Sequence, residues 1–205
     1  VKLIKFFNKY KMSILNKAKY ELLILILLTI SIFFSFKVDL WFYSYFHDIN
    51  KNFTGFFLKE FFISITKLGS SSWYFAISFI GFVFFYLNNK LQIIKFKKSN
   101  NIVNFFISSF FYILTVGIFT QILKHIIGRP RPNYIDFENT FEFNYFTLES
   151  NFHSFPSGHS STIFIVCFIL IAAFPRLKYF FYFLATVVAL SRVVVGAHFF
   201  TDIVA

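Results

Sequence analysis

The stretch 191–205, SRVVVGAHFFTDIVA, continues an apolar run of helical length and yet contains three ionisable side chains. These side chains are Arg192, His198 and Asp202. Ionisable groups in an apolar membrane segment are costly, and they usually pair with one another or mark a functional site. The stretch therefore predicts an apolar helical fold with a polar site built into it, and the rest of the chain can be tested against that prediction.

The composition of the whole chain indicates an integral membrane protein. Of the 205 residues, 57% are hydrophobic and 24% are aromatic, which is more apolar material than a soluble domain of this length can cover with polar surface. The net charge of +11 would suit a protein that binds nucleic acid. Most lysines, however, lie in short clusters beside apolar runs, which argues against nucleic acid as a partner.

Several apolar runs are long enough, or nearly long enough, to cross a bilayer as helices. They cover residues 21–36, 71–87, 102–123, 160–174 and 179–197. Residues 53–66 are too few to span and are expected to form an amphipathic helix along the interface. Gly196 is expected to end the fifth span, and Asp202 then lies on the first turn of a sixth. The predicted fold is an all-α, polytopic membrane helical bundle with five complete spans plus the start of a sixth.

Residues 1–205 are expected to form a single integral membrane domain, because no soluble domain or internal repeat is evident in the sequence. The sixth span stops soon after Asp202, so the chain is expected to be truncated at Ala205, its C-terminus. The oligomeric state is not indicated by any pattern in the sequence.

The lysines predict the orientation of the bundle in the membrane. Residues 1–20 contain six lysines and no acid, and residues 88–101 contain four lysines and no acid. The short turn after the fourth run is also basic. These alternate loops are expected on the cytoplasmic side, and so the N-terminus is expected there too. Loops 37–70 and 124–159 mix both signs of charge and are expected to face outward.

Three groups of polar residues fall at the outward ends of the predicted spans, where the topology would bring them together. KHIIGRPRP at 124–132 follows the third run, FPSGHSS at 155–161 opens the fourth, and the stretch 191–205 follows the fifth. Clustered cations repel one another unless an anion lies among them, and arginine suits phosphate through paired hydrogen bonds. Free backbone N–H groups at a helix start after Ser157 and Gly158 would also favour an anion. The pattern predicts a phosphate site on the outer face.

Two histidines are the candidates for the chemistry. His159 can donate a proton to a leaving oxygen. His198 and Asp202 are four residues apart, so a helix would place them on one face. The carboxylate would then hold one ring nitrogen and direct the other towards a substrate. No serine or cysteine stands obviously beside this pair, so the imidazole of His198 is itself the candidate nucleophile.

The spacing of these residues resembles the three-part signature of the type 2 phosphatidic acid phosphatase family, which also contains vanadium haloperoxidases and glucose-6-phosphatases. Eleven residues match in order: Lys124, Arg131, Pro132, Pro156, Ser157, Gly158, His159, Ser191, Arg192, His198 and Asp202. The first 123 residues resemble the family only in general character, as apolar spans.

The resemblance implies a lipid phosphatase that forms a phosphohistidine and needs no metal or other cofactor. His198 would attack phosphorus, Asp202 would orient it, and His159 would protonate the leaving group and then activate water. The residues implied to hold the phosphate oxygens are Lys124, Arg131, Ser157, Gly158 and Arg192. Arg129, in the neighbouring Arg-Pro pair, is a candidate for a further contact with the headgroup.

The implied substrate is a lipid that carries a phosphomonoester or a pyrophosphate. Phosphatidic acid, phosphatidylglycerol phosphate, polyprenyl diphosphate and lipid A phosphates all qualify, and no residue chooses among them. The small size and short outer loops resemble the bacterial members, so the expected location is the bacterial inner membrane. The active site would face the periplasm or the outside.

Several features have plainer alternatives. The basic residues of 124–131 could be interfacial anchors, Ser157 and Gly158 could merely start a helix, and His198 with Asp202 could be a buried structural pair. Loop 132–155 could shape substrate entry or could be a solvated connection. At the level of function, the alternatives are a lipid phosphotransferase that uses the same histidine and a catalytically silent lipid-binding or transport protein.

Overall fold

The computed structural model describes the greater part of the chain, and all regular structure in that part is helical. The described residues are 23, 38–49, 53–92, 94, 99–134 and 142–205. The predicted first span at 21–36 and the lysine-rich segment 1–20 lie outside the described residues, apart from Leu23. The count of five spans plus the start of a sixth therefore stays a prediction.

Seven helices organise the described residues. They are α1 at 38–49, α2 at Phe53–Thr66, α3 at Ser71–Leu91, α4 at Ser99–Ile127, α5 at Gly158–Ala173, α6 at Lys178–Val194 and α7 at Phe200–Val204. A single 3-10 turn, Lys67–Gly69, joins α2 to α3. The predicted runs 71–87, 102–123, 160–174 and 179–197 correspond to α3, α4, α5 and α6.

Three helical segments among the described residues are long and apolar enough to cross a membrane. They are Phe57–Leu91, Asn100–Tyr134 and Pro175–Val194, and the shorter apolar helix Gly158–Ala173 accompanies them. Large apolar side chains point away from the protein on the long helices: Trp73 is 65% exposed, Ile80 is 64% exposed and Phe119 is 63% exposed. Such a surface suits lipid rather than water, so the helices are those of a membrane protein.

The packed centre of the bundle lies between α5 and α6. Ile163 and Cys167 of α5 meet Ala185 and Val188 of α6, and each of these side chains is at most 1% exposed. In lipid, close van der Waals packing around small residues holds helices together, since lipid tails are as apolar as the helices themselves. The fully buried Ala185 permits that close approach.

α2 packs against α6 and turns directly into α3. The predicted helix at 53–66 therefore forms with the expected bounds, while its location along the membrane interface stays a prediction.

A glycine ends α4 and allows the following loop to fold back over the helix end. Gly128 has a φ of +57°, and a Cβ at this position would overlap the carbonyl oxygen of Asn144. Its N–H donates to the carbonyl of Lys124 at 3.0 Å, and its own carbonyl accepts from the N–H of Asn144 at 2.8 Å. Only glycine adopts this backbone conformation without steric cost. Residues 142–155 thereby come to lie over the C-terminal end of α4.

Candidate active site

A cavity of about 450 Å³ lies where the end of α4, the start of α5 and the end of α6 meet. Six of the nine predicted site residues line it: Lys124, Arg131, Gly158, His159, Arg192 and His198. The three sequence segments that were expected to converge on one face therefore do so. The other three predicted residues, Arg129, Ser157 and Asp202, are buried just behind the cavity wall.

Two of the three cations at the cavity are held by backbone carbonyls of the loop that covers α4. Lys124 Nζ donates to the carbonyl of His153 at 2.6 Å, and Arg131 Nε donates to the carbonyl of Ser150 at 3.0 Å. These partners are neutral, so they orient the cations without cancelling their charge. The described part of loop 132–155 thus contacts two of the three cations, while its effect on substrate entry stays a prediction.

The third cation is held from a different part of the chain. Arg192 Nη1 donates to the hydroxyl of Thr66 at 2.9 Å, at the last residue of α2, and Arg192 Nε makes no hydrogen bond to the described residues. The described residues that line the cavity include no aspartate or glutamate. Three positive charges without an acid among the lining residues suit a polyanion such as phosphate.

Replacing Thr66 with valine is expected to raise the KM for a phosphorylated substrate by roughly five- to tenfold, because Arg192, a residue predicted to bind phosphate, loses a hydrogen bond. kcat should change less, since Thr66 contacts a binding group. Thr186→Val is the matched control, because the hydroxyl of Thr186 bonds only the carbonyl of Tyr182 on its own helix. Equal increases in KM for both variants would contradict this role of Thr66.

The start of α5 is fixed by Ser157, which is fully buried and caps the helix. Its hydroxyl oxygen accepts from the N–H of Ser160 at 3.4 Å and from the hydroxyl of Ser160 at 3.0 Å. Its N–H donates to the backbone carbonyl of Asp202 at 2.8 Å. Ser157 thus starts the helix, and its predicted contact with phosphate stays a prediction.

Gly158 and His159 follow the cap and face the cavity. A Cβ on Gly158 would meet only Lys124 Cε and Thr120 Cγ2, both at 3.9 Å. Gly69, in the turn after α2, lies so close to His159 that an added Cβ would be 2.8 Å from His159 Cβ. The absence of a side chain at Gly69 therefore helps to define where the His159 ring can lie.

His198 is 3% exposed, and its Nδ1 lies 3.5 Å from Asp202 Oδ2. The expectation that a helical face would pair them is wrong, because α7 begins only at Phe200. Asp202 is on the first turn of α7, as predicted, and its Oδ2 accepts from the N–H of Phe199 at 2.8 Å. The pair therefore forms through the cap of a helix. The predicted fifth span also ends earlier than 197, at Val194, just before Gly196 with its φ of +76°.

Burial lowers the pKa of His198 to about 4, although the neighbouring carboxylate of Asp202 acts in the opposite direction. The ring is therefore neutral at neutral pH. A neutral imidazole has a lone pair on one nitrogen, and with Nδ1 directed at Asp202 that nitrogen is Nε2. The geometry suits a nitrogen nucleophile.

Asp202 is the centre of a buried polar network. Besides the contacts above, its Oδ2 accepts from the hydroxyl of Ser154 at 2.5 Å, and its Oδ1 accepts from Arg129 Nη1 at 2.6 Å. Arg129 is 2% exposed and also bonds Asp39 and Thr201. It does not line the cavity, so its predicted contact with a headgroup stays a prediction, while its observed contacts include the carboxylate beside His198.

Five residues at or behind the site lie outside the motifs and were not identified from the sequence. They are Asp39, Thr66, Gly69, Ser154 and Thr201. Asp39 offered one signal, since a carboxylate among the apolar residues of VDLWFY needs a partner. The sequence gives no indication that this partner lies 90 residues away.

Comparison with known proteins agrees with the motifs. Residues 105–205 match the model of the PAP2 superfamily. A lipid A 1-phosphatase of Rhizobium etli is 33% identical over 152 residues, which cover 72% of this chain and 65% of that protein. A lipid A 1-phosphatase of Rhizobium johnstonii is 40% identical over 98 residues, which cover 47% of this chain and 39% of that protein. The chain thus spans less than two thirds of each of these relatives.

A solved structure is also similar, the crystal structure of a transmembrane PAP2 type phosphatidylglycerolphosphate phosphatase from Bacillus subtilis. The TM-score is 0.49 and the sequence identity is 25%, with coverage of 72% of this chain and 68% of that chain. All eleven signature residues of the present chain fall inside the region that matches the family model. The resemblance seen in the motifs is therefore confirmed over residues 105–205, the part of the chain that is similar to the PAP2 superfamily.

Proposed function

We propose that this protein is a membrane lipid phosphatase, which hydrolyses a phosphomonoester or pyrophosphate on a lipid through a phosphohistidine. The observation that carries the proposal is the cavity itself. It combines a buried, carboxylate-paired histidine, a second histidine at a helix start and three cations without a lining acid. A nucleophile, an acid–base group and an anion site are the parts that phosphoryl transfer needs.

In the first step, Nε2 of His198 attacks phosphorus while the bond from phosphorus to the lipid oxygen breaks. The negative charge of the bound phosphate favours the protonated form of His159, which gives its proton to that oxygen. The dephosphorylated lipid leaves as an alcohol, or as a monophosphate if the substrate was a pyrophosphate. Asp202 holds Nδ1–H of His198 and stabilises the positive charge that the ring gains. Lys124, Arg131, Arg192 and the N–H groups at the start of α5, which Ser157 caps and Gly158 begins, bind the phosphoryl oxygens.

In the second step, His159 removes a proton from water, and the resulting hydroxide attacks phosphorus as the bond to His198 breaks. Inorganic phosphate leaves, His198 returns to its neutral state, and His159 again carries its proton. Each proton and electron pair in the two steps is supplied by the chain, the substrate or water. The mechanism is accordingly proposed to be independent of metal, and activity should persist in excess chelator.

The names of the two relatives make the 1-phosphate of lipid A the first substrate to test. The site is proposed to face the outside of a bacterial inner membrane, with the N-terminus in the cytoplasm, because the basic turn with Arg176 and Lys178 joins the ends of α5 and α6 that lie away from the cavity. Residues 1–205 are proposed to act as one domain, since α1 and α2 both contribute contacts to the site.

A panel of phosphorylated lipids tests this function directly. The purified protein in detergent would be incubated with lipid A, phosphatidic acid, phosphatidylglycerol phosphate and a polyprenyl diphosphate, with chelator present, and released phosphate would be measured. Turnover of at least one lipid is expected. Release from none of them would overturn the proposal, and transfer of label to a second lipid in place of phosphate release would favour the phosphotransferase alternative.

The shape of the cavity suggests where the rest of the lipid lies. Lys124, Thr120, Gly117 and Val116 line it along one side of α4, and the nine residues 116–124 correspond to about 12 Å of helix. A Cβ on Gly117 would have no neighbour within 4 Å. The phosphate end of the cavity therefore continues along α4 away from the helix end, into space that a lipid portion of the substrate could occupy.

Gly117→Phe is expected to raise the KM for a lipid substrate by about tenfold or more, because the added ring would fill this space. The KM for a small ester such as p-nitrophenyl phosphate should change by less than about threefold, since the phosphate end of the cavity stays open. Ile118→Phe is the matched control, because Ile118 is 52% exposed and does not line the cavity. Equal losses on both substrates would show that this space does not hold the lipid.

A further inference from the structure

A carboxylate from the start of α1 lies at the back of the site without touching the cavity. Asp39 is fully buried, with no exposed surface. Its Oδ2 accepts from Arg129 Nη2 at 2.7 Å and from the hydroxyl of Thr201 at 2.5 Å, and its Oδ1 accepts from the N–H of Thr201 at 2.8 Å. A charge buried this deeply persists only with such partners.

These contacts continue to the nucleophile. Arg129 Nη1 donates to Asp202 Oδ1 at 2.6 Å, and Asp202 Oδ2 faces His198 Nδ1 at 3.5 Å. Three links therefore join Asp39 to the imidazole: carboxylate to guanidinium, guanidinium to carboxylate, and carboxylate to ring. Asp39 also holds α7 directly, through both the backbone and the side chain of Thr201, the residue before Asp202.

The charges of Asp39, Arg129 and Asp202 suit a reaction in which the imidazole of His198 becomes positive. One guanidinium between two carboxylates leaves the cluster with a net charge of −1 when all three groups are ionised. If Asp39 were neutral, the charge of Arg129 would be directed to Asp202 alone, and the cluster would carry no net charge. Less negative charge would then face the His198 ring as phosphorylation makes it cationic.

We propose that Asp39 is a positioning residue for the nucleophile, which holds Arg129 and Thr201 so that Asp202 orients His198 and keeps a net negative charge beside it. This inference rests on the proposed phosphohistidine chemistry. It also assigns a part in the site to a segment that lies before residues 105–205, the region of the family match.

Asp39→Asn tests the inference, because it removes the charge and preserves the shape. kcat for lipid phosphate is expected to fall roughly ten- to a hundredfold, while KM and the affinity for inorganic phosphate change less than about twofold, since Asp39 does not line the cavity. Asp48→Asn is the matched control, because Asp48 lies on the same helix and is exposed. Its kcat should equal that of the unaltered protein.

The inference is overturned if Asp39→Asn keeps its full kcat, or if kcat and phosphate affinity fall together, as they would after general loosening of the fold. Where the asparagine variant does not fold, Asp39→Glu is measured by the same criteria, since the added methylene shifts the carboxylate relative to Arg129. The unaltered protein distinguishes failure of this inference from failure of the proposed phosphatase function. In the first case the unaltered protein still releases phosphate from lipids, and in the second it releases none.

Discussion

Replacement of His198 by alanine is expected to reduce phosphate release by a factor of about a thousand or more, because removal of a nucleophile leaves only binding and electrostatic contributions to the rate. His198 is the one imidazole of the described cavity that is paired with a carboxylate. No described serine, cysteine or acid lines the cavity in a position to replace it with comparable activation. The measurement is single-turnover phosphate release from the best lipid of the panel.

His47→Ala is the control for this change, since His47 is exposed and stacks on Tyr43 of its own helix. Its activity should match that of the unaltered protein. His159→Ala provides a second comparison with p-nitrophenyl phosphate, whose leaving group departs without a proton, so that loss of the group that activates water should leave the phosphohistidine to accumulate. Acid-labile, base-stable phosphate on the His159 variant and its absence from the His198 variant are expected. Retention of substantial activity by His198→Ala would contradict the assignment.

Replacement of Arg129 by methionine is expected to destabilise the folded protein by about 3–5 kcal/mol, the usual effect of removing one partner of a buried ion pair. The guanidinium lies 2.7 Å from a carboxylate oxygen of Asp39 and 2.6 Å from one of Asp202. The side chains of Asp39 and Asp202 have no exposed surface. Without the cation, two carboxylates would remain buried near each other, and at least one would have to take up a proton.

Thermal unfolding in detergent would measure this effect. Arg176→Met is the control, because Arg176 is exposed in the turn between α5 and α6 and should be nearly neutral. A loss that shrinks as the pH is lowered would agree with the mechanism, since protonation of a carboxylate relieves the unpaired charge. A change of less than about 1 kcal/mol at neutral pH would contradict the importance of this ion pair.

Residues whose role depends on local spacing could be identified from the sequence. Lys124, Gly158, His159, Arg192 and His198 were placed in one site because the alternation of basic and mixed loops puts the ends of their spans on one face. The structure shows these five around a single cavity. Helical periodicity and loop charge can be read from short stretches of sequence. They predict the fold correctly here because long apolar helices in a membrane have few other possible arrangements.

Residues whose role depends on distant partners could not be found in this way. Thr66 contacts Arg192 across 126 positions and Asp39 contacts Thr201 across 162 positions, and no periodic pattern connects either pair. The pairing of His198 with Asp202 was predicted for the wrong physical reason. Their spacing fits a helical turn, but the chain reaches α7 only after His198, and a capping carboxylate makes the contact.

The hydrogen bond from the N–H of Ser157 to the carbonyl of Asp202 means that the main chain and the side chain of Asp202 make different contacts in the site. The carboxylate of Asp202 faces His198, whereas its carbonyl accepts from Ser157 at the start of α5, the helix on which His159 lies. A substitution of Asp202 that leaves the main chain in place alters the side-chain contact with His198 and preserves the main-chain contact with Ser157. In an Asp202→Asn protein, the proposed proton donor His159 would therefore keep its position while the proposed nucleophile His198 loses its alignment, which makes this variant a suitable form in which to trap an intact phosphorylated lipid.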